Sequence, residues 1–382
     1  MSWPMVRLGD VGELIRGSGI RRSETVPSGM PCLRYGEIYT SFEFILDRPR
    51  SFVEQKTFDS CPHIETGDVV FSLTGENKEE IAKALAYIGK DPIAAGGDLA
   101  IWKKHGCDAK YLAYLMYSPA MLKAKADASN GHIIVHASVK KLQDIQFPLP
   151  PIDEQRRIVE KLEKELRRVD EMKAKFERME KAAEQYFKSA LAEAFDGDEL
   201  RPLREYCTFE GGSQPPKSTF KDEPRQGYVR LYQIRDYNGS PRPVYIRNED
   251  AKKCSKVGDI LIGRYGASIG LVFWAADGAY NVALVRVVII NHSISSDYLF
   301  YALQSPRIQS VFRGASRNAQ AGFNDSEWNK MGLPVPSLEE QKGVAERIRC
   351  AKVKSEMLVK EAHGGIETCI KMRKALLAEA FA

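Results

Sequence analysis

Cysteine and histidine are scarce in this chain, and where they occur they form no pattern. The seven cysteines (32, 61, 107, 207, 254, 350 and 369) are scattered over 382 residues without a Cys-x-x-Cys pair or a histidine at ligand spacing. A disulfide framework and a zinc site are both excluded as organising features. There is no apolar run of 18 residues, and the start, Met1-Ser2-Trp3-Pro4-Met5-Val6-Arg7, has no signal-peptide core. A cytoplasmic protein without a membrane segment is expected. Nucleotide loops are missing too: Gly17-Ser18-Gly19-Ile20-Arg21-Arg22 lacks the third glycine of a dinucleotide loop, and no Gly-Lys-Ser or Gly-Lys-Thr follows any glycine run. No Asn-Pro-Pro-Tyr or Asp-Pro-Pro-Tyr run is present to support amino-methyl transfer. Asp47 with Glu54-Gln55-Lys56 has the residue types of a nuclease metal site, at a spacing that arises often by chance. Charge of one sign is also sparse, at +5 overall, and the excess lies in residues 196–382. Net charge alone therefore says little about a nucleic-acid partner.

What the chain does contain is a repeat. Phe147-Pro148-Leu149-Pro150-Pro151-Ile152-Asp153-Glu154-Gln155 returns as Leu333-Pro334-Val335-Pro336-Ser337-Leu338-Glu339-Glu340-Gln341, and the register then holds without a gap until Leu191-Ala192-Glu193-Ala194-Phe195 returns as Leu377-Ala378-Glu379-Ala380-Phe381. An ungapped repeat of this length implies one structural unit used twice. The segments before the two copies are related more loosely. Gly67-Asp68 before Val69-Val70-Phe71 resembles Gly258-Asp259 before Ile260-Leu261-Ile262, and Tyr111-Leu112 with Ser118-Pro119 resembles Tyr298-Leu299 with Ser305-Pro306. Their drifting offsets mark insertions, which collect in surface loops. Four segments follow: a variable domain over 1–147, a helix over 148–195, a second variable domain over 196–333 and a second helix over 334–382.

The prolines stop the preceding domain, and the acidic pairs that follow suit a helix N-terminus. From there the pattern is heptad. One seam position carries Leu162, Val169, Phe176, Ala183 and Ala190, and the other carries Ile158, Glu165, Met172, Met179 and Tyr186. In the second copy the positions are Ile348, Ser355, Ala362, Cys369 and Leu376, with Val344, Ala351, Leu358, Gly365 and Met372. A lone helix of ~66 Å must bury such a seam, and the obvious partner is the other copy, running antiparallel. Its role is spacing and docking, and Gly364-Gly365 is its weakest point.

The variable domains alternate short apolar runs with Gly, Asp and Pro. Asp68 to Phe71, Ile260 to Ile262, Gly270 to Trp274 and Ala283 to Ile290 read as strands, while Tyr111 to Met121 and Asp297 to Phe312 have helical spacing. The fold class is α+β: two related α/β domains separated by two long antiparallel helices in a coiled coil, with pseudo-two-fold symmetry. Cations interleave with amides and aromatics in both domains. The candidates for DNA contact are Arg21, Arg22, Arg34, Asn77, Lys78, Asn130 and His132 in the first, and Gln214, Lys217, Arg230, Gln233, Arg235, Arg264, Tyr265, Ser268, Arg317, Asn318 and Gln320 in the second. Arg, Lys, Asn and Gln suit base edges, and Ser, Tyr and backbone amides position phosphates. Each cluster alone would pass for a solvated loop; recurrence in two related domains favours a shared task.

On its two proline-rich entries into Glu-Gln helices, supported by Gly258-Asp259-Ile260-Leu261, Gly266-Ala267-Ser268-Ile269-Gly270 and the two Tyr-Leu helices, the whole chain resembles a type I restriction-modification specificity subunit. The resemblance implies that each variable domain recognises one half of a split, non-palindromic DNA target. It also implies that the helices set the spacing and dock modification subunits, and that restriction subunits join through the complex. Catalysis, with S-adenosylmethionine, ATP and Mg, would then belong to partner chains, leaving no catalytic, cofactor or metal site here. In domain one Gly75-Glu76-Asn77-Lys78-Glu79-Glu80 stands where domain two has Gly266 to Gly270. The alternatives are a nuclease or fused modification enzyme, and a coiled-coil adaptor with no DNA role.

Overall fold

The computed structural model describes residues 3–131, 134–239, 241–316 and 324–382. It divides into two compact units, residues 1–175 with 365–382, and residues 176–364. Each unit holds one variable domain and part of both repeat helices, Ile152–Ala194 and Leu338–Glu379.

In the first unit one sheet has the strand order Glu13–Arg16, Leu99–Lys103, Val69–Ser72, Ala84–Tyr87, Ile45–Leu46. A second has the order Thr25–Val26, Ser51–Val53, Met30–Leu33, Ile93–Ala95, His63–Ile64. The second unit repeats the plan with four strands in each sheet. The first runs Cys207–Gly211, Leu284–Ile289, Ile260–Gly263, Val272–Trp274, and the other Tyr245–Arg247, Tyr228–Tyr232, Gly278–Tyr280, Cys254–Ser255. All four runs read as strands therefore form strands. The Gly-Asp pairs explain themselves: Gly67 and Gly258 turn the chain at φ +92° and +93°, a region that favours glycine. The following carboxylates close the turns by accepting from Glu65 N at 2.7 Å and Lys256 N at 2.9 Å.

The expected single helices after the sheets are each two. Ala109–Leu115 is followed by Pro119–Asp127, and Ser296–Ala302 by Pro306–Ser316. A proline at the first helical position and a serine before it start a new helix and end the old one.

Within each unit the repeat helices run antiparallel. In the second unit the Ser355 hydroxyl donates to Ala183 O at 2.7 Å, Lys354 lies over the Tyr186 ring and His363 meets Glu180 at 2.8 Å. In the first, Arg373 pairs with Asp170 and with Glu43. The seam differs in part from the heptad reading. Leu162, Val169, Ala183, Ile348, Ala351, Ser355, Ala362 and Cys369 are buried, whereas Ile158, Met172, Phe176, Met179, Val344, Leu358 and Leu376 are half-buried and Tyr186 and Met372 are exposed. Val159, Leu166 and Ala345 are buried instead. The helices bury a third row against their own variable domains, where Val159, Leu162 and Leu166 join the first core and Ala345 and Ile348 the second. This third contact rotates burial away from a two-position seam. The helical backbone continues through Gly364-Gly365.

The repeated Glu-Gln dipeptide holds each domain to its helix. Gln155, 2% exposed, accepts from Asp108 N at 2.8 Å and donates to Pro150 O at 2.9 Å. Gln341, fully buried, accepts from Ser295 N at 2.8 Å and donates to Ser293 O at 2.7 Å and Pro336 O at 2.9 Å. Asp108 and Ser295 are the N-caps of the Tyr-Leu helices, whose tyrosines donate to Pro148 O at 2.8 Å and Pro334 O at 2.7 Å. Burial pushes the Tyr298 phenol up to about 12, so it remains a donor.

Candidate nucleic-acid interface

Backbone hydrogen bonds align the two variable domains residue by residue. At the ends of the parallel strands, Gly17 N donates to Leu99 O, Ser18 N to Ala95 O, Gly96 N to Leu33 O and Glu37 N to Arg34 O. In the second domain Gly212 N donates to Leu284 O, Ser213 N to Tyr280 O, Asn281 N to Tyr232 O and Asp236 N to Gln233 O. The sequence offsets differ from segment to segment, but the frame is one frame. It equates Ser18 with Ser213, Arg34 with Gln233 and Gly96 with Asn281. Sheet register adds that Arg16 corresponds to Gly211 and Leu73 to Arg264, since Ala100 pairs with Arg16 and Phe71 while Val285 pairs with Gly211 and Ile262. Gly17 and Gly212 allow the close approach: a Cβ would fall 2.1 Å from Gly96 O and 2.0 Å from Asn281 O.

Polar side-chain atoms without hydrogen-bond partners gather on this frame in the second domain. Ser213 Oγ, Gln233 Nε2 and the Nε atoms of Arg230, Arg235 and Arg264 are buried and make no hydrogen bond among the described residues. Leaving such groups unpaired costs ~1–3 kcal/mol apiece, a cost relieved when a ligand supplies the missing partner. Arg264 lies over the Tyr265 ring at 5.2 Å, and its Nη1 is 3.4 Å from where a Cβ on Gly211 would stand. Arg230 is partly committed, to Asp236 at 3.3 Å and to the face of Tyr232 at 4.7 Å. Gln214 donates to its neighbour Pro215 O at 3.2 Å, while Lys217 and Ser268 lie in short helical turns at Lys217–Thr219 and Gly266–Ser268.

In the first domain a cleft of about 590 Å³ is lined by Arg16, Thr74, Asp98, Asn130, His136 and Lys140, and a neighbouring one of about 460 Å³ by Arg16, Gly17, Gly19, Arg21 and Asp98. Arg16 and Asp98 join the two, so Arg21 and Asn130 share one surface. Arg34 adjoins it through Gly96 and Gly97, and Arg22 follows in the exposed turn Arg22–Glu24. Asn77 is spent within its own turn, accepting from Glu80 N at 2.9 Å, and Lys78 beside it is exposed. The Gly75 loop that replaces Gly266 to Gly270 begins in a strand, Thr74–Gly75, that joins Val135–Ala137 and Ser129–Asn130 in a sheet. Asn130 accepts there from Lys141 at 3.2 Å. His132, Arg317, Asn318 and Gln320 lie outside the described residues.

Sequence reasoning passed over Arg16 because it closes a four-residue strand with no amide or aromatic neighbour, and over Lys140 because it sits in a short helix. Only strand register shows that Arg16 corresponds to Gly211, the place that Arg264 reaches from two strands away. Among the described residues no group of three or more His, Cys, Asp or Glu side chains could hold a metal. Glu54 stands at the N-terminus of the short helix Gln55–Asp59 without a side-chain capping bond, and the Asp47 carboxylate accepts from Arg48 N at 2.8 Å. No described helix is long and apolar enough to cross a membrane.

A twice-built frame of this kind, carrying base-reading and phosphate-binding residue types and joined to repeated helices, defines a two-domain nucleic-acid recognition protein. The type I restriction modification DNA specificity domain matches residues 2–180 and again 197–349, so the chain belongs to that family, the family of type I restriction-modification specificity subunits. Among curated relatives it is 23% identical to the EcoBI specificity subunit of Escherichia coli over 69% of this chain and 63% of that one. It is 19% identical to the EcoKI specificity subunit of Escherichia coli over 99% and 88%. With a putative MjaX specificity subunit of Methanocaldococcus jannaschii it shares 23% over 91% and 86%. The match thus spans less than two thirds of the EcoBI subunit. In fold it is similar to a chain in a structure of a type I R-M system, at TM-score 0.79 and 21% identity, covering all of this chain and 97% of that one. It is similar also to the HsdS subunit from Thermoanaerobacter tengcongensis, at TM-score 0.62 and 20% identity, covering all of this chain and 96% of the other.

Proposed function

We propose that this chain is the non-catalytic DNA-recognition subunit of a cytoplasmic type I restriction-modification complex. Each variable domain reads one half of a bipartite, non-palindromic duplex target. The observation that carries this reading is a single hydrogen-bond frame, built twice, with different polar side chains on it. A shared frame supplies the same approach to DNA, and different side chains supply different base preferences. The helices set the gap between half-sites and dock modification subunits, through which restriction subunits join. Methyl transfer and cleavage, with S-adenosylmethionine, ATP and Mg, reside in those partners.

The decisive experiment exchanges residues 196–333 for the corresponding domain of a relative and reads the methylated motif in cells that also carry the modification subunits. One half-site changes and the other stays. Change in both halves, or in neither with the complex intact, contradicts the assignment. The spacer role has its own test. The helices of 43 and 42 residues are ~65 Å long, against ~34–36 Å for a DNA turn, so removing one heptad from both shortens the gap in the motif. An unchanged gap in a folded, assembled deletion refutes it. With a net charge of only +5, tight binding requires modification subunits to add phosphate contacts, and the assembled complex loses affinity with salt more steeply than the chain alone.

A further inference from the structure

The frame that aligns the domains puts different residue types at one position, the first residue after an inner strand of the second sheet. In the first domain Met30–Leu33 is followed by Arg34; in the second Tyr228–Tyr232 is followed by Gln233. Both sit between the same two backbone bonds, the one accepted by the preceding residue's carbonyl (Gly96 N to Leu33 O, 2.9 Å; Asn281 N to Tyr232 O, 3.0 Å) and the one that starts the next turn (Glu37 N to Arg34 O, 3.0 Å; Asp236 N to Gln233 O, 2.9 Å). The two Cα atoms therefore have the same surroundings in their own domains, although no constant sequence offset relates the neighbouring segments. Neither side chain is used up by the protein. Gln233 Nε2 is buried and makes no hydrogen bond, and the Arg34 guanidinium has no hydrogen bond or ion pair among the described residues.

The two side chains differ in what they can pair with. Glutamine offers one acceptor and one donor side by side, which match N6–H and N7 of adenine in the major groove. Arginine offers two parallel donors, which match O6 and N7 of guanine. An arginine cannot accept from adenine N6–H, and a glutamine opposite guanine leaves its own acceptor facing O6. The Gln233 amide nitrogen has no protein partner but is covered in the free chain; turned outward, it donates to a purine N7. We propose that this position reads one purine in each half-site, taking adenine at Gln233 and guanine at Arg34. Arg16 and Arg264, which reach corresponding places from different strands, flank it and hold the duplex. The inference rests on the reading of the chain as a two-domain DNA-recognition subunit.

The test is a motif swap in the assembled complex. Full-length wild type, Gln233→Arg, Arg34→Gln and Gln233→Met are each expressed with the modification subunits, and the methylated motif is read by sequencing host DNA. Gln233→Arg is expected to change one A·T position to G·C in the half-site read by the second domain and leave the other half untouched. Arg34→Gln makes the reciprocal change in the other half. Each swap shifts preference at its position by roughly ten- to a hundredfold. Gln233→Met keeps the bulk without the amide, and relaxes the same position without selecting a new base. A wild-type motif with unaltered motifs in folded, assembled variants overturns the assignment of this position alone. A wild-type complex that methylates no defined motif overturns the recognition reading beneath it as well.

Discussion

The two variable domains solve the same structural problem with different side chains, nowhere more plainly than at Ala82 and Gly270. Ala82 and Gly270 occupy matching places ahead of matching strands, both at positive φ, +52° and +80°. In the second domain Gln309 donates to Gly270 O at 2.8 Å, and Phe312, fully buried, packs where a Cβ on Gly270 would sit 2.7 Å away. In the first domain Lys125 stands where Phe312 does, 1% exposed, and donates to Ala82 O at 3.1 Å over the Tyr117 ring at 5.2 Å. A neutral amide and an aromatic ring are thus replaced by one buried amine. The exchange keeps the carbonyl satisfied and moves a titratable group into the core. A backbone frame is retained by satisfying its carbonyls, and the identity of the donor is free to vary.

That contrast gives the first domain a titrating group at a position where the second has none. Desolvation lowers the Lys125 amine to about 7, against 10.5 when exposed. Between pH 7 and 10.5 the unfolded chain binds a proton that the folded chain does not, so this residue's contribution to stability rises with pH through that window. Below 7 both states are protonated and the cost of the buried charge stands in full. Denaturation of wild type and Lys125→Met, compared at pH 7 and pH 10, is expected to show wild type gaining ~4 kcal/mol relative to the variant. A pH-independent difference between the two would remove the distinction between the domains.

The helix junctions differ more quietly. Gln341 makes three hydrogen bonds to backbone groups where Gln155 makes two. Gln341→Ala is expected to cost ~2–4 kcal/mol of stability and Gln155→Ala ~1–3, measured by urea denaturation of the full chain. Equal or reversed losses would show that the third bond contributes nothing. The smallest effect belongs to the clefts. Arg264→Leu gives the second domain the residue that the first carries at Leu73, and should weaken DNA binding by the assembled complex by ~1–3 kcal/mol at one half-site. Arg16→Gly does the same at the other. If either variant lowers affinity uniformly over sequences and reduces the salt slope by about one, that arginine holds phosphate and not a base.

Much of the fold was legible from local pattern. The repeat announced two helices of equal length, their proline-Glu-Gln entries announced where they start, and the Gly-Asp pairs announced matching turns ahead of matching strands. Those features are read from neighbours in sequence, because capping, proline geometry and glycine φ act within a few residues. The seam was legible only in part, since Val159, Leu166 and Ala345 are buried by domains that no heptad count includes. The candidate interface was legible as residue types and not as a site. Arg230, Gln233 and Arg235 stood out as a cluster, but the alignment of Gln233 with Arg34, and of Arg16 with Gly211, depends on strand register across segments with different offsets.

By itself, then, the sequence determined that one helical unit is used twice, that two related α/β domains precede its copies, and that the chain carries no recognisable catalytic motif. Tertiary structure decided which residues of the two domains correspond, which of the buried polar groups remain without partners, and which carbonyl each core donor meets. The division has a physical cause. Helix periodicity and turn chemistry are short-range and leave their marks on consecutive residues, whereas correspondence within a sheet is fixed by hydrogen bonds between strands far apart in the chain, and insertions erase it from the sequence while the frame retains it.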